Sequence, residues 1–190
     1  VVTESILGGA PRAEGFGRAL YGLSAGNPLF QEGILRLQAM RMEAAEKNGR
    51  RGLELSVSPT SVPRTLDALL DATLTELGRD ISEAAAAIAA AGRPVGASEL
   101  APALGRTEGE VTYFVDELAR LRLLEETPPG SGLFVPTSTR LGERAISLAQ
   151  ADFLDVVHSC YSDAARDVDP AEEAYHRRFT PDESQRARAE

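Results

Sequence analysis

Residues 98–135 read SELAPALGRTEGEVTYFVDELARLRLLEETPPGSGLFV, and the fold turns on them. Ser98 to Leu104 is a short apolar-faced segment with Ser98 placed as a helix cap, and Gly105-Arg106 makes a turn. Thr107 and Glu110 then form a Thr-x-x-Glu capping box, which satisfies two N–H groups that a helix start leaves without partners. Val111, Phe114, Val115, Leu118 and Leu121 follow at the spacing of one buried face, so a helix is predicted from Thr107 to Leu123. Leu123-Leu124-Glu125-Glu126 and Leu133-Phe134-Val135 are strand candidates. The Pro/Gly-rich run Thr127-Pro128-Pro129-Gly130-Ser131-Gly132 joins them as a tight hairpin loop. Upstream, Asp80 restarts the chain in an alanine-rich helix, Ile81 to Ala91, that Gly92 stops. Helix, short helix, helix and hairpin in this order predict a winged helix with a small β-hairpin wing.

Outward from this core the chain reads as mainly α. Leu141 to Val157 is predicted helical, with a weak interruption at Gly142. Asp169-Pro170 and Thr180-Pro181 each place proline at a first helical position, so two further helices begin there. Toward the N-terminus, Pro63 opens a periodic helix carrying Leu66, Leu69, Leu70, Thr73, Leu74 and Leu77, ended by Gly78. Arg50 to Pro63 is a loop with an extended crossing at Leu53, Leu55 and Val57. Before it come two or three helices. Ile6 and Leu7 lie in a first one ended by Gly8-Gly9, and Phe16, Leu20 and Leu23 line a second. The helix from Pro28 places Phe30, Ile34, Leu35, Leu37 and Met42 mostly on one side and closes at Asn48-Gly49. The expected domains are 1–78, a helical bundle; 79–147, the winged helix; and 148–190, the start of a further helical region.

An apolar share of 43% in 190 residues supports a packed core, and 5% aromatics without Trp make it aliphatic. Net charge is −9, which opposes phosphate backbones. The single Cys160 forms no internal disulfide and suits a reducing cytoplasm. There is no signal-peptide pattern and no apolar run of membrane-spanning length. The chain starts at Val1 and ends at Glu190 within a charged, helix-like run, and is read as a fragment of a longer protein.

Gly26-Asn27-Pro28-Leu29-Phe30 is physically a helix stop followed at once by a helix start: Gly26 suits the left-handed residue, Asn27 the N-cap and Pro28 the first helical position. The stretch resembles the "GNP(L/F)F" turn in the lid helices of STAND-class regulatory ATPases, especially the large ATP-binding LuxR-type regulators. Further matches come in the family's order. Val62-Pro63-Arg64-Thr65-Leu66-Asp67-Ala68-Leu69-Leu70 is similar to "VPxxLxxLL", and Ala91-Gly92-Arg93-Pro94-Val95 to "AAAxxGRPF". Leu100 to Leu104, Glu110-Val111 and Val115 to Leu124 follow "LLxALGxxxxEVxxxLxxLxxxGLL". Asp169-Pro170 with Ala174-Tyr175-His176 is similar to the start of a helical-repeat sensor region.

The resemblance implies a helical lid, a winged helix and the start of a sensor region from a transcriptional regulator of a bacterial cytoplasm. In such a protein ATP or ADP is held by a nucleotide-binding core N-terminal to this segment. Gly26, Asn27, Pro28 and Leu29 would then touch the nucleotide, with Pro28 packing on adenine. The implied partners are that core and a C-terminal output domain within one chain, or further copies of the chain. Two departures stand out. No Gly-x-x-x-x-Gly-Lys-Ser/Thr loop occurs, so the segment cannot hydrolyse ATP alone. Pro136 stands where the family often carries a phosphate-sensing histidine after the returning wing strand.

A second reading is a winged helix that meets DNA directly through Arg93, Arg106, Arg120, Arg122, Arg140 and Arg144. Against it, the third helix sets Arg120 and Arg122 against Glu108, Glu110, Asp116 and Glu117, and the wing loop has no basic residue. A third reading has the winged helix as a packing unit, with the small side chains of Ala84 to Ala91 either admitting another helix or forming the core helix of the winged helix itself. His158, Cys160 and His176 suggest a metal or nucleophile set. Residues two apart on a helix point to different faces, however, and the simpler reading is a buried cysteine with two surface or helix-end histidines.

Overall fold

Alanine builds the centre of the larger unit. In the computed structural model, which describes residues 17, 18, 20–22, 24–47 and 63–180, the described part is mainly helical with one two-stranded antiparallel sheet. The chain divides into two compact units, Val1–Glu76 and Leu77–Glu190.

In the first unit, α1 (Pro28–Lys47) packs through Phe30, Ile34 and Leu37 on Leu20 and on Leu69 of α2 (Leu66–Leu77). Met40 is also buried, whereas Met42 is half-buried. Gly33 lets the two helices approach closely, since a Cβ there would lie 2.6 Å from Leu69 Cδ2. Helix α2 starts later than Pro63 predicts. The Thr65 hydroxyl accepts from the Ala68 amide at 3.2 Å, so Thr65 caps the helix and Pro63 lies outside it. Of its apolar positions Leu69, Thr73 and Leu74 are buried and Leu66 is exposed. The expected helix at Ile6-Leu7, the positions Phe16 and Leu23, the crossing at Leu53, Leu55 and Val57, and the helix from Thr180-Pro181 lie outside the described residues.

The second unit is built round α3 (Arg79–Ala91), in which Ala84, Ala85, Ala86, Ala87, Ile88, Ala90 and Ala91 are all buried. Small side chains let α4 (Ala97–Leu104), α5 (Glu108–Arg120), α6 (Thr139–Leu148) and α7 (Ala151–Ala165) all pack on it. Gly92 ends α3 and Gly105 ends α4, both left-handed at φ 69 and 60. Thr107 and Glu110 close the capping box of α5 as the sequence predicts: the Thr107 hydroxyl accepts from the Glu110 amide, and Glu110 accepts from the Thr107 amide at 2.9 Å. Val111, Val115, Leu118 and Leu121 are buried and Phe114 is half-buried. The helix ends at Arg120, short of Leu123, because Arg122 turns to φ 54.

Strands β1 (Leu124–Glu126) and β2 (Phe134–Pro136) pair antiparallel, with Leu124 opposite Pro136 and Glu126 opposite Phe134. Val95 adds a bridge on the other edge of β2, exchanging both backbone hydrogen bonds with Phe134. The loop between the strands is tied back by Glu126, whose carboxylate accepts from the Gly132 amide at 2.6 Å; backbone N–H groups of Gly130 and Gly132 hold its pKa down.

Three details depart from expectation. Gly96, not Ser98, precedes α4; a Cβ at Gly96 would sit 3.2 Å from the Gly132 carbonyl oxygen, so a side chain there would press on the loop backbone. The segment after the hairpin is not broken at Gly142. That residue is buried inside α6, where a Cβ would be 3.3 Å from Ala89 Cβ, and its smallness sets the α3–α6 approach. The break falls at Ala149, which is extended and followed by Gln150, and α7 starts at Ala151. Helix α8 (Pro170–Arg177) then folds back on α7, with Asp169 accepting from the Ala171 and Glu172 amides as its cap.

Candidate functional site

Three groups of residues bear on function, and the first is the turn before α1. Ala25 and Gly26 both take positive φ, 48 and 78. The Asn27 side chain accepts from the Phe30 amide at 3.4 Å and its carbonyl from the Gln31 amide at 3.0 Å, so Asn27 caps α1 and Pro28 opens it. The Tyr21 ring lies 3.2 Å from where a Gly26 Cβ would be. Gln31 reaches back to donate to the Ser24 hydroxyl at 3.0 Å, tying the helix before the turn to the helix after it. Phe30 is buried, whereas Asn27 and Pro28 are exposed. The Leu29 backbone belongs to α1. A proline ring is thus held at the surface by a turn whose backbone is fixed on both sides.

The second group is the six arginines of the nucleic-acid reading. Arg93, after α3, is clamped between two carboxylates: it forks onto Glu99 of α4 and donates Nε to Glu172 of α8 at 2.5 Å. Its hydrogen bonds to Glu99 hold its pKa well above the usual arginine value. Arg106 pairs with Asp80 at 2.8 Å, Arg120 with Glu117 at 2.6 Å and Arg140 with Glu143 at 3.2 Å. Arg122 is exposed at the end of α5, and Arg144 is half-buried in α6. The six are distributed over the turns after α3 and α4, the end of α5, and α6. At least four of them already meet a carboxylate.

The third group was not legible as such. His158 of α7 is 8% exposed and His176 of α8 is 0% exposed, so neither is a surface histidine, although His176 does lie in the last turn of its helix. Their Nδ1 atoms are 2.9 Å apart. Burial lowers the pKa of both rings; the His158 ring is further held down by His176 whenever that ring is protonated, and the His176 ring by Arg93. Glu172 acts oppositely on His176, its Oε1 lying 3.8 Å from Nε2. Tyr161 completes the layer and donates to the Ala87 carbonyl of α3 at 3.0 Å. Cys160 is half-buried rather than buried, and burial raises its thiol pKa. Among the described residues no three His, Cys, Asp or Glu side chains gather as a metal site. No described helix is long and apolar enough to cross a membrane.

Pro136 ends β2, with its ring 3.6 Å from where a Gly142 Cβ would project; it braces α6 against the hairpin and offers no group that could hold a phosphate. Comparison with known proteins found no matching family model, no matching curated protein and no matching solved structure.

Proposed function

We propose that this chain is the lid and winged-helix segment of a STAND-class, LuxR-type transcriptional regulator, working in the cytoplasm, and that it couples the nucleotide state of an N-terminal core to a C-terminal output. In this reading residues 1–78 carry the lid helices, 79–147 the winged helix, with α3, α4 and α5 as its helices and the β1–β2 hairpin as its wing, and 148–190 begin the sensor region. The observation that carries the reading is the Ala25–Pro28 turn. Its backbone is fixed by two left-handed residues and an asparagine cap, and it presents the Pro28 ring to the surface while Phe30 anchors it from below. A rigid, exposed apolar ring suits packing against a flat heterocycle such as adenine.

The arginine pairs weigh against direct DNA contact. A DNA-reading helix needs cations that exchange bound counterions for phosphates, and each carboxylate partner here would have to be displaced first. The test is the longer protein carrying this segment with its core. ADP retained through purification, and a tenfold or greater loss of ADP affinity in Pro28→Ala with the fold unchanged, is the expected result; unchanged affinity in that variant overturns the assignment of the turn.

A further inference from the structure

Two histidine nitrogens 2.9 Å apart share one proton, since a hydrogen bond between them needs one N–H and one lone pair. In the neutral pair, electrostatics place that proton on His158 Nδ1. His176 then carries its own proton on Nε2, toward Glu172 Oε1; the opposite arrangement would set a lone pair against the carboxylate. One added proton is tolerated, because each Nε2 can hold a proton while a third lies between the Nδ1 atoms. A second added proton sets N–H against N–H across the contact and destroys it.

The contact lies in the packing between α7 and α8. His158 stacks on Phe179 with centroids 4.6 Å apart, and Tyr175 meets His176 edge-on at 5.0 Å. The charged and titratable groups that bear on the pair are Asp155 of α7, Glu172 of α8, Glu99 of α4 and Arg93 after α3, with Tyr161 and Tyr175 beside His176. Arg93 is already committed to both glutamates, so neither is free to serve as a full counter-ion for a histidinium.

We propose that His158 and His176 form a proton-sensitive latch, docking α8 on α7 while the pair is neutral and releasing α8 when both rings are protonated. Release strips the cover from Tyr161 and from the Arg93–Glu99 pair, so the end of the second unit opens while α3 to α6 stay folded.

The sign follows from burial. Both rings have pKa values below the ordinary 6.5 when docked and regain it when released. Docking is therefore at full strength above that pH and weakens as pH falls through and below it. One unit below, each histidine that is neutral when docked and free when released contributes about a tenfold shift toward release. The test is amide hydrogen exchange of the whole chain by NMR at pH 7.5 and 5.5, corrected for intrinsic rates, with the two imidazoles titrated in parallel. Protection of α8 amides is expected to fall at least tenfold while α3 and α5 keep theirs, with both rings titrating below the ordinary value. Unchanged α8 protection overturns the latch. So does a loss shared equally by α3, which makes the event global unfolding, or an imidazole that titrates normally while α8 stays protected.

Discussion

Replacing Ile88 by alanine tests whether α3 is the hub of the second unit. Ile88 is 1% exposed and its neighbours on the same helix face, Ala84, Ala85 and Ala91, are buried. The substitution removes three side-chain carbons, worth about 0.8 kcal/mol each when fully buried, or roughly 2.4 kcal/mol in transfer alone. A cavity adds to this wherever the walls cannot collapse, and alanine walls have no rotamers with which to fill it. Better helix propensity of alanine returns about 0.5 kcal/mol. The net expectation is about 3 kcal/mol, or roughly 10–15 °C in Tm for a unit of this size. Urea unfolding followed by far-UV circular dichroism reads it as a lower midpoint at unchanged slope. Val168→Ala, at a position 82% exposed, is the control and should stay within about 0.5 kcal/mol of the parent. A loss below about 1 kcal/mol for Ile88→Ala would refute the placing of this residue at the centre of the packing.

Other perturbations have opposite expected signs at adjacent positions. Ala25 pays for its positive φ, so Ala25→Gly should stabilise the first unit by up to about 1 kcal/mol. Gly26→Val should destabilise it by about 1–2 kcal/mol, because a β-branched residue at φ 78 is strained and its side chain meets the Tyr21 ring. Both are read by thermal unfolding, and equal effects at the two positions would contradict the turn geometry. Tyr161→Phe removes the hydrogen bond to Ala87 at 3.0 Å and should cost about 1 kcal/mol in urea unfolding; no cost would mean that water replaces the bond.

Features set by neighbouring residues were legible in the sequence. The Thr107–Glu110 capping box, the helix stops at Gly92 and Gly105, the start at Asp169-Pro170 and the turn at Gly26-Asn27-Pro28 each depend on groups only a few residues away along the chain. What misled the reading was set by distant chain. Ser98 is a good cap by type, but α4 starts at Ala97, with the Glu99 and Leu100 amides bonding to the carbonyl of Gly96, which itself lies close to the Gly132 carbonyl of the distant loop. Gly142 looks like a helix breaker until Ala89 and Pro136 are seen against it. Nothing local marks the break at Ala149, where Arg79 of α3 donates to Gln150 at 3.2 Å.

The candidate sites divide in the same way. The Pro28 turn is one contiguous stretch and could be read directly. The arginines were individually visible, but their carboxylate partners were not: Glu172 lies 79 positions beyond Arg93 and Asp80 lies 26 before Arg106. The histidine pair spans 18 residues and two antiparallel helices, so spacing on one helix gave no hint that the rings meet.

In the proposed function the second unit is a packing and regulatory element rather than a reader of DNA. A fluorescence-anisotropy titration of the whole chain with generic duplex DNA, at low and at moderate salt, tests this most directly. No binding at low salt is the expected result, given a net charge of −9 and arginines paired with Glu99, Glu172, Asp80, Glu117 and Glu143. Micromolar binding that weakens steeply as salt rises would show that the arginines leave their carboxylates for phosphates, and would contradict the account.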